Sequence, residues 1–155
     1  MTTFTALPTE TAAAYRAGAP DAFGNPPERT RSTGPGNPCR HCLCNIPEGA
    51  EMLVLAHKPF QGTHPYAEVG PIFLCAEDCA RGGGTDLPEI FTTSPDYLIK
   101  GYSAEDRIVY GTGAVTPTPE IASRLDAIFA DPAVAYIHVR SARNNCYQAR
   151  VDRGD

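Results

Sequence analysis

The chain has 155 residues, a length typical of one domain, and its 13 basic and 18 acidic residues give a formal net charge of −5. This acidic balance argues against a protein whose main task is to bind nucleic-acid phosphates. No apolar run approaches the roughly 20 residues of a membrane-spanning helix, and the N-terminal segment lacks the apolar stretch of a secretory signal. We therefore expect a cytoplasmic protein that binds neither nucleic acid nor a membrane.

The first half of the chain predicts one helix, one long loop and two strands. An alanine-rich run predicts a helix that Thr9 caps and Gly18 ends. Residues 18–38 concentrate glycine and proline, which predicts an extended segment without regular structure. Residues 51–57 and 71–75 are short apolar runs, and such runs are typical of strands buried in a core.

The middle of the chain predicts a glycine-rich turn, two strands and the clearest helix. The turn covers residues 81–84, and the strands cover residues 97–100 and 107–110 with a polar connection between them. Thr118 is placed to cap the helix, and the following proline suits the first helical position. The apolar stripe of this helix consists of Ile121, Leu125, Ile128 and Phe129.

The C-terminal stretch predicts a β-hairpin, because residues 134–142 and 146–151 both alternate between apolar and polar side chains. A loop over residues 143–145, with Asn145 in the left-handed conformation, sets its register. That register pairs Ile137 with Val151, His138 with Arg150 and Val139 with Ala149. One face then enters the core with Ile137, Val139, Ser141, Tyr147, Ala149 and Val151. The other face carries His138, Arg140, Cys146, Gln148 and Arg150.

These elements together predict a loop-rich α+β fold. The strands outnumber the helices, and their pairings are local in sequence, which favours an antiparallel sheet. We expect a single domain over residues 1–155, with two main helices and a C-terminal β-hairpin.

Cysteines supply the most informative chemistry, since five of the six fall in two clusters. Cys39 and Cys42 form a Cys-x2-Cys pair, and Cys75 and Cys79 form a second pair. A structural zinc ion takes four ligands at the corners of a tetrahedron, and thiolates are suitable ligands. The two pairs therefore predict one structural zinc site. Four thiolates would leave no open position for a reacting water.

Other interpretations of the cysteines stay open at this point. They are also compatible with buried thiols, with disulfides, or with a redox Cys-x2-Cys pair. The lack of a visible export signal speaks against disulfides. His41 and Cys44, which lie within and beside the first pair, are further candidate metal ligands.

Residues 57–73 form a second group of interest. This stretch mixes Tyr66 and Glu68 with histidine, proline and glycine, and rigid loops that carry such side chains often line binding pockets. The alternative is a structural role, in which Phe60 and Tyr66 seal the edge of the core and Glu68 pairs with an arginine.

The polar face of the predicted hairpin forms a third group. His138, Arg140 and Arg150 project together from this face, and guanidinium groups offer paired donors to a carboxylate or a phosphate. The alternative is an ordinary solvated face. If Glu68 and Tyr66 approach this face, the five side chains form a mixed-charge site for a small anionic ligand.

Four motifs carry a resemblance to a known family. In chain order they are PCRHCL, PFQGTHPYAEVGPIF, GYSAEDRIVYGTG and HVRSARNNCYQARV. Together they resemble the bacterial "domain of unknown function 1203" family, from about Phe4 to Arg153. The resemblance implies a small, soluble, single-domain bacterial protein, and it carries no established activity. His is often found in that family at the position of Cys75, and either residue binds zinc.

Two hypotheses about function follow. The first is a zinc-stabilised binding module for a small anionic molecule or a protein partner. The second is an enzyme acting on a small molecule, with Glu68 or His138 as the base and Arg140 as the anion clamp.

Overall fold

A computed structural model of the chain, which describes residues 1–154, contains nine strands and two α-helices. The helices are α1 (Thr9–Arg16) and α2 (Ile121–Phe129), and 3₁₀ turns cover Glu89–Thr92 and Thr118–Glu120. The strands are β1 (Thr2–Thr5), β2 (Glu28–Arg31), β3 (Glu51–His57), β4 (Gly70–Cys75), β5 (Gly83–Gly84), β6 (Asp96–Tyr102), β7 (Ala114–Pro117), β8 (Tyr136–Ser141) and β9 (Tyr147–Arg153).

The strands form two antiparallel sheets. The larger sheet has the order β5-β1-β9-β8-β6-β7, and the smaller sheet has the order β2-β3-β4. This arrangement confirms the prediction of an α+β fold with two main helices and a C-terminal hairpin. Within the described residues, neither helix has the length that crossing a bilayer requires.

Each sheet has its own core. Helix α2 buries its predicted apolar stripe against the larger sheet, in one cluster with Ile99, Ile137 and Val139. The smaller sheet packs its inner face against α1 around Leu53, and Cys39 belongs to this second cluster. Apolar burial is the main source of stability in both places, at roughly 1.5–3 kcal/mol for each large aliphatic side chain.

Two predictions of local structure were wrong. The segment over residues 18–38 is not free of regular structure, because β2 lies within it and pairs with β3. The predicted strand over residues 107–110 is reduced to one bridge between Ile108 and Tyr102, and β7 takes its place as the strand on the outer side of β6.

The helix caps also differ from the prediction, because the cap position of α1 is Pro8 and that of α2 is Glu120. Pro8 precedes α1, and Thr9 lies inside the helix, where its hydroxyl contacts His41. Thr118 begins a 3₁₀ turn, and its hydroxyl donates to the carbonyl of Ser94 instead of capping α2.

The hairpin register is confirmed at three positions and broken at a fourth. The pairs Ile137–Val151, His138–Arg150 and Val139–Ala149 are present, and Asn145 has the expected positive φ of 59°. A β-bulge follows, so that Arg140 pairs with Tyr147 and Gln148 is the extra residue.

The bulge corrects the predicted faces of the hairpin. Tyr147 was expected in the core, but it lies on the face of His138, with 4.8 Å between the two ring centroids. Gln148 was expected on that face, but it lies beside Tyr97 and Ser141 in the wall of a cavity.

Candidate metal centre and adjacent cavities

Four cysteines meet where α1, the smaller sheet and the loop after β4 come together. The sulfur atoms of Cys39, Cys42, Cys75 and Cys79 all lie within 4.8 Å of one another. The Cys39–Cys79 and Cys42–Cys75 sulfur pairs are each separated by 4.0 Å. The four predicted ligands therefore come together, and this cluster could hold a metal ion.

The first pair of sulfurs is presented by a tight turn over residues 39–43, which we call the knuckle. The amide of Leu43 donates to the carbonyl of Cys39 at 2.9 Å, and Leu43 adopts a left-handed φ of 57°. The amide of Arg40 donates to the carbonyl of Phe73 at 3.1 Å, so the knuckle is docked on β4. Since Cys75 ends that strand, the docking brings the third sulfur to the first two.

The fourth sulfur comes from the loop after β4, which Gly82 holds against the knuckle. The amide of Gly82 donates to the carbonyl of His41 at 2.8 Å. A Cβ atom at this position would lie 2.1 Å from the carbonyl oxygen of Cys42. Only glycine fits this approach, so the glycine-rich turn lets the two backbone segments that carry the cysteines touch.

Nitrogen donors surround the sulfur atoms. His41 Nδ1 lies 3.1 Å from the sulfur of Cys79, and Arg16 Nη2 donates to the same sulfur at 3.1 Å. The amide of Cys75 donates to the sulfur of Cys39 at 3.3 Å. Such donors stabilise thiolates and orient metal ligands. His41 thus lies beside the four-sulfur cluster as a hydrogen-bonding neighbour, and Cys44 is exposed and outside it.

The pKa values of the clustered thiols are shifted in opposite directions. Hydrogen bonds from Cys42 and Cys75 lower the pKa of the Cys39 thiol far below its usual value. The bond to Cys39 raises the pKa of Cys42 strongly, and Cys39 also raises the pKa of Cys75 to about 12. A bound dication would favour release of the thiol protons of all four cysteines. All six cysteines are free thiols, which excludes the disulfide interpretation for this structure.

His138 lies in an aromatic box on the larger sheet. The box consists of the rings of Phe60, Tyr102, Tyr136 and Tyr147, whose centroids lie between 4.8 and 5.1 Å from the imidazole. His138 is 0% exposed, and neither ring nitrogen has a hydrogen-bond partner among the residues that the structure describes. Burial, and secondarily the charge of Arg140, lowers the pKa of His138 well below 6.5, so the ring is neutral at pH 7.

His138 reaches the wall of a cavity of about 470 Å³, which we call the His138 cavity. Lys58, Arg81 and Arg150 also line it. Arg150 pairs with Asp152 at 2.8 Å, whereas Lys58 and Arg81 form no ion pair within residues 1–154. The cavity therefore has a net positive lining.

The two carboxylates in the wall of the His138 cavity, Asp106 and Asp152, already accept hydrogen bonds from neighbouring residues. Asp106 accepts hydrogen bonds from the Tyr136 hydroxyl and the Gln61 amide at 2.7 and 3.1 Å. Asp152 accepts from the Thr5 hydroxyl at 2.6 Å, in addition to its pair with Arg150. Neither carboxylate contacts the free cations of the cavity, so an entering anion would not have to displace one.

The other predicted ligand residues are divided between two further places. Glu68 lies 3.5 Å from Arg140 and 3.6 Å from Lys100, and Glu68 and Arg140 line a separate cavity of about 170 Å³. Tyr66 points elsewhere, with its hydroxyl 2.7 Å from that of Tyr110. The five residues therefore do not form one site.

This division bears on the enzyme alternative, which stays a prediction. Glu68, the candidate base, is paired with Arg140, the residue expected to clamp the substrate. His138, the other candidate base, lines a different cavity from both of them.

Sequence reasoning missed Lys58 and Arg81. Both lie in loops far apart in the chain, and no local pattern connects them. The only available signal was that Arg81 follows the second cysteine pair by two residues, so that a metal centre would fix its position.

Comparison with known proteins gives one match. The family described as "Protein of unknown function (DUF1203)" matches residues 36–153. The match covers most of the chain, so the protein belongs to this family, and the resemblance drawn from the four motifs is confirmed. No curated protein and no solved structure matches the chain.

Proposed function

We propose that this member of the DUF1203 family is a zinc-stabilised binding module for a small anionic ligand. The observation that carries the proposal is the meeting of four cysteine sulfurs within 4.8 Å at the junction of α1 and the smaller sheet. The zinc ion would hold the knuckle and the loop of Cys79 together, and the His138 cavity would receive the ligand.

The spacing of the sulfurs supports zinc. In a tetrahedral site with Zn–S bonds of about 2.3 Å, neighbouring sulfurs lie about 3.8 Å apart. Two sulfur pairs lie 4.0 Å apart and all four sulfurs lie within 4.8 Å of one another, so a small contraction of the cluster would give that arrangement. Zn²⁺ with four thiolates carries a net charge of −2, and the donors from Arg16 and His41 offset part of it. With four protein ligands the ion has a structural role.

The charges around the His138 cavity support an anionic ligand. Lys58 and Arg81 lack acidic partners within the described part of the chain, and guanidinium groups bind carboxylates and phosphates through paired hydrogen bonds. The imidazole of His138 is neutral and buried behind this wall, so it neither attracts nor repels the anion by charge. A volume of about 470 Å³ suits a small metabolite.

Elemental analysis with matched cysteine variants tests the zinc part. Protein purified without chelator should contain about one zinc per chain. Cys42→Ser should lose most of it, whereas Cys44→Ser should keep it, because Cys44 lies in the same segment but outside the cluster. Wild-type protein without zinc, or equal zinc in both variants, would contradict the assignment.

Calorimetric titration with inorganic phosphate and with acetate tests the anion part. We expect binding that Arg81→Gln weakens at least about tenfold, since one charge-assisted pair is lost. Arg31→Gln is the control, because Arg31 is an exposed arginine whose guanidinium contacts only the carbonyl of Gly49. Equal affinity in the two variants would mean that the His138 cavity is not the site.

A further inference from the structure

A second large cavity lies apart from the His138 cavity, and the two have no lining residue in common. Its volume is about 730 Å³, and it lies between the knuckle, the end of β4 and the loop of the C-terminal hairpin. Arg40, the residue after Cys39 in the knuckle, forms part of its wall, so we call it the Arg40 cavity.

Arg40 is a buried cation without an acidic partner. Its side chain is 3% exposed, and no carboxylate lies within ion-pair distance of it in residues 1–154. Nε donates to the carbonyl of Tyr147 at 2.8 Å and Nη1 to that of Pro38 at 2.7 Å, which leaves Nη2 with no described partner. Carbonyl contacts fix the guanidinium, and no carboxylate of the described residues pairs with it, so an anion in the cavity could do so.

Gln148 gives independent support for a ligand. The bulge in β9 turns this residue into the Arg40 cavity, where it is 7% exposed. Its side-chain amide makes no hydrogen bond to any residue that the structure describes, so its donor and acceptor atoms are available to a molecule in the cavity. A bound anionic molecule could pair with Arg40 and form a hydrogen bond with Gln148 at the same time.

The rest of the wall fits an anion. It contains no aspartate or glutamate, and its polar residues are hydroxyl- and amide-bearing side chains such as Ser94, Ser141 and Asn144. Arg143 also lines the cavity, but Asp96 pairs with it at 2.8 Å. Arg40 is therefore the cation available to a ligand.

We infer that the Arg40 cavity is a second binding site, for a small organic molecule that carries a carboxylate or phosphate group. The anionic group pairs with Arg40, and a neutral polar part of the same molecule bonds to Gln148. The two flanking cysteines fix the knuckle, so the metal centre holds the guanidinium in place. This site is independent of the one proposed in the His138 cavity.

Nuclear magnetic resonance of the ¹⁵N-labelled, metal-loaded full chain tests the inference. The probes are inorganic phosphate and acetate, each added at constant ionic strength. The Nε–H signal of Arg40, which its bond to Tyr147 protects, and the side-chain amide signal of Gln148 should shift and saturate with at least one probe. A stronger response to phosphate indicates a phosphorylated ligand, and a stronger response to acetate indicates a carboxylate ligand.

A matched pair of variants separates the two cavities. Gln148→Glu is nearly isosteric and places a negative charge beside Arg40, so it should weaken anion binding here at least about tenfold. Gln61→Glu makes the same chemical change at the His138 cavity and should leave the Arg40 signals unaffected. Unchanged metal content and circular dichroism would show that both variants fold.

Two results would overturn the inference. One is the absence of any shift at Arg40 and Gln148 with about 10 mM of either probe, a concentration that would occupy most of a millimolar site. The other is an equal response in wild type and Gln148→Glu. Signals that move only around the His138 cavity would overturn this inference and leave the proposed function standing.

Discussion

Replacing Gly82 with alanine would test how the loop of Cys79 is held against the knuckle. The added Cβ would lie 2.1 Å from the carbonyl oxygen of Cys42 and 2.6 Å from its carbonyl carbon. Ordinary contact begins at 3.4 Å, so the two backbone segments would have to separate by 3.4 − 2.1, or about 1.3 Å. Neither atom belongs to a flexible side chain that could move aside.

The separation would break the hydrogen bond from Gly82 to His41 and displace Cys79 from the other sulfurs. We expect the free energy of unfolding to fall by about 2–4 kcal/mol, as for other substitutions that force backbone apart. Metal affinity should fall as well, because the fourth ligand moves. Urea unfolding measures the first effect, and competition with a chromogenic chelator measures the second.

Gly70→Ala is the matched control for this substitution. Nothing lies within 4 Å of a Cβ built at Gly70, and its φ is not in the left-handed region. Alanine there should change stability by less than about 1 kcal/mol. If Gly82→Ala and Gly70→Ala gave the same unfolding free energy and the same metal affinity, the account of the loop would be refuted.

Three further predictions concern the larger sheet and its neighbourhood. Val139→Ala should lower the unfolding free energy by about 1–3 kcal/mol, because Val139 is 0% exposed; a loss under about 0.5 kcal/mol would contradict its place in the core. Arg140→Ala should lower the unfolding free energy by about 1–2 kcal/mol, because its pair with Glu68 is lost. Arg143→Ala, which removes an exposed pair with Asp96, should change the unfolding free energy by less than about 0.5 kcal/mol. Equal losses in the two variants would refute the distinction. Burial lowers the pKa of His57 from 6.5 to about 4. Between these two pH values the unfolded chain binds a proton at His57 that the folded chain does not. The unfolding free energy should therefore fall as the pH drops from 6.5 to about 4. Urea unfolding should show a weaker decline in His57→Asn, and identical declines would contradict the shift.

The four-cysteine cluster could be predicted from sequence because its signal is local. Cys39 and Cys42 lie on one turn, and Cys75 and Cys79 lie at one strand end, so spacing alone identifies both pairs. The docking of the knuckle on β4 could not be predicted, since it depends on long-range pairing. The need for glycine at position 82 could not be predicted for the same reason. The Cβ of any other residue there would clash with the carbonyl oxygen of Cys42, which is distant in the sequence.

The hairpin shows where alternation stops being a sufficient guide. Alternation predicted three cross-strand pairs, because burying Ile137 and Val139 determines the register. One extra residue in β9 then exchanged the faces of Tyr147 and Gln148. The bulge cannot be recognised from the alternating pattern, because Tyr147 and Gln148 both carry polar groups and either could lie on the polar face. Each residue was therefore assigned to the wrong face of the hairpin.

The candidate ligand site was predicted only in part, because cavities join residues from distant segments. Glu68 does approach Arg140, as one interpretation of the sequence expected. Arg81 and Lys58, however, line the His138 cavity from two unrelated loops. Arg40 lies between two cysteines, and the sequence pattern gives no sign that it is a buried cation in the wall of another cavity.

X-ray absorption at the zinc edge, on protein purified without chelator, is the most direct test of the four-cysteine centre. The account predicts one zinc per chain in a single shell of four sulfur atoms at about 2.3 Å. Nitrogen or oxygen atoms in that shell, or no zinc absorption from fully folded protein, would contradict it.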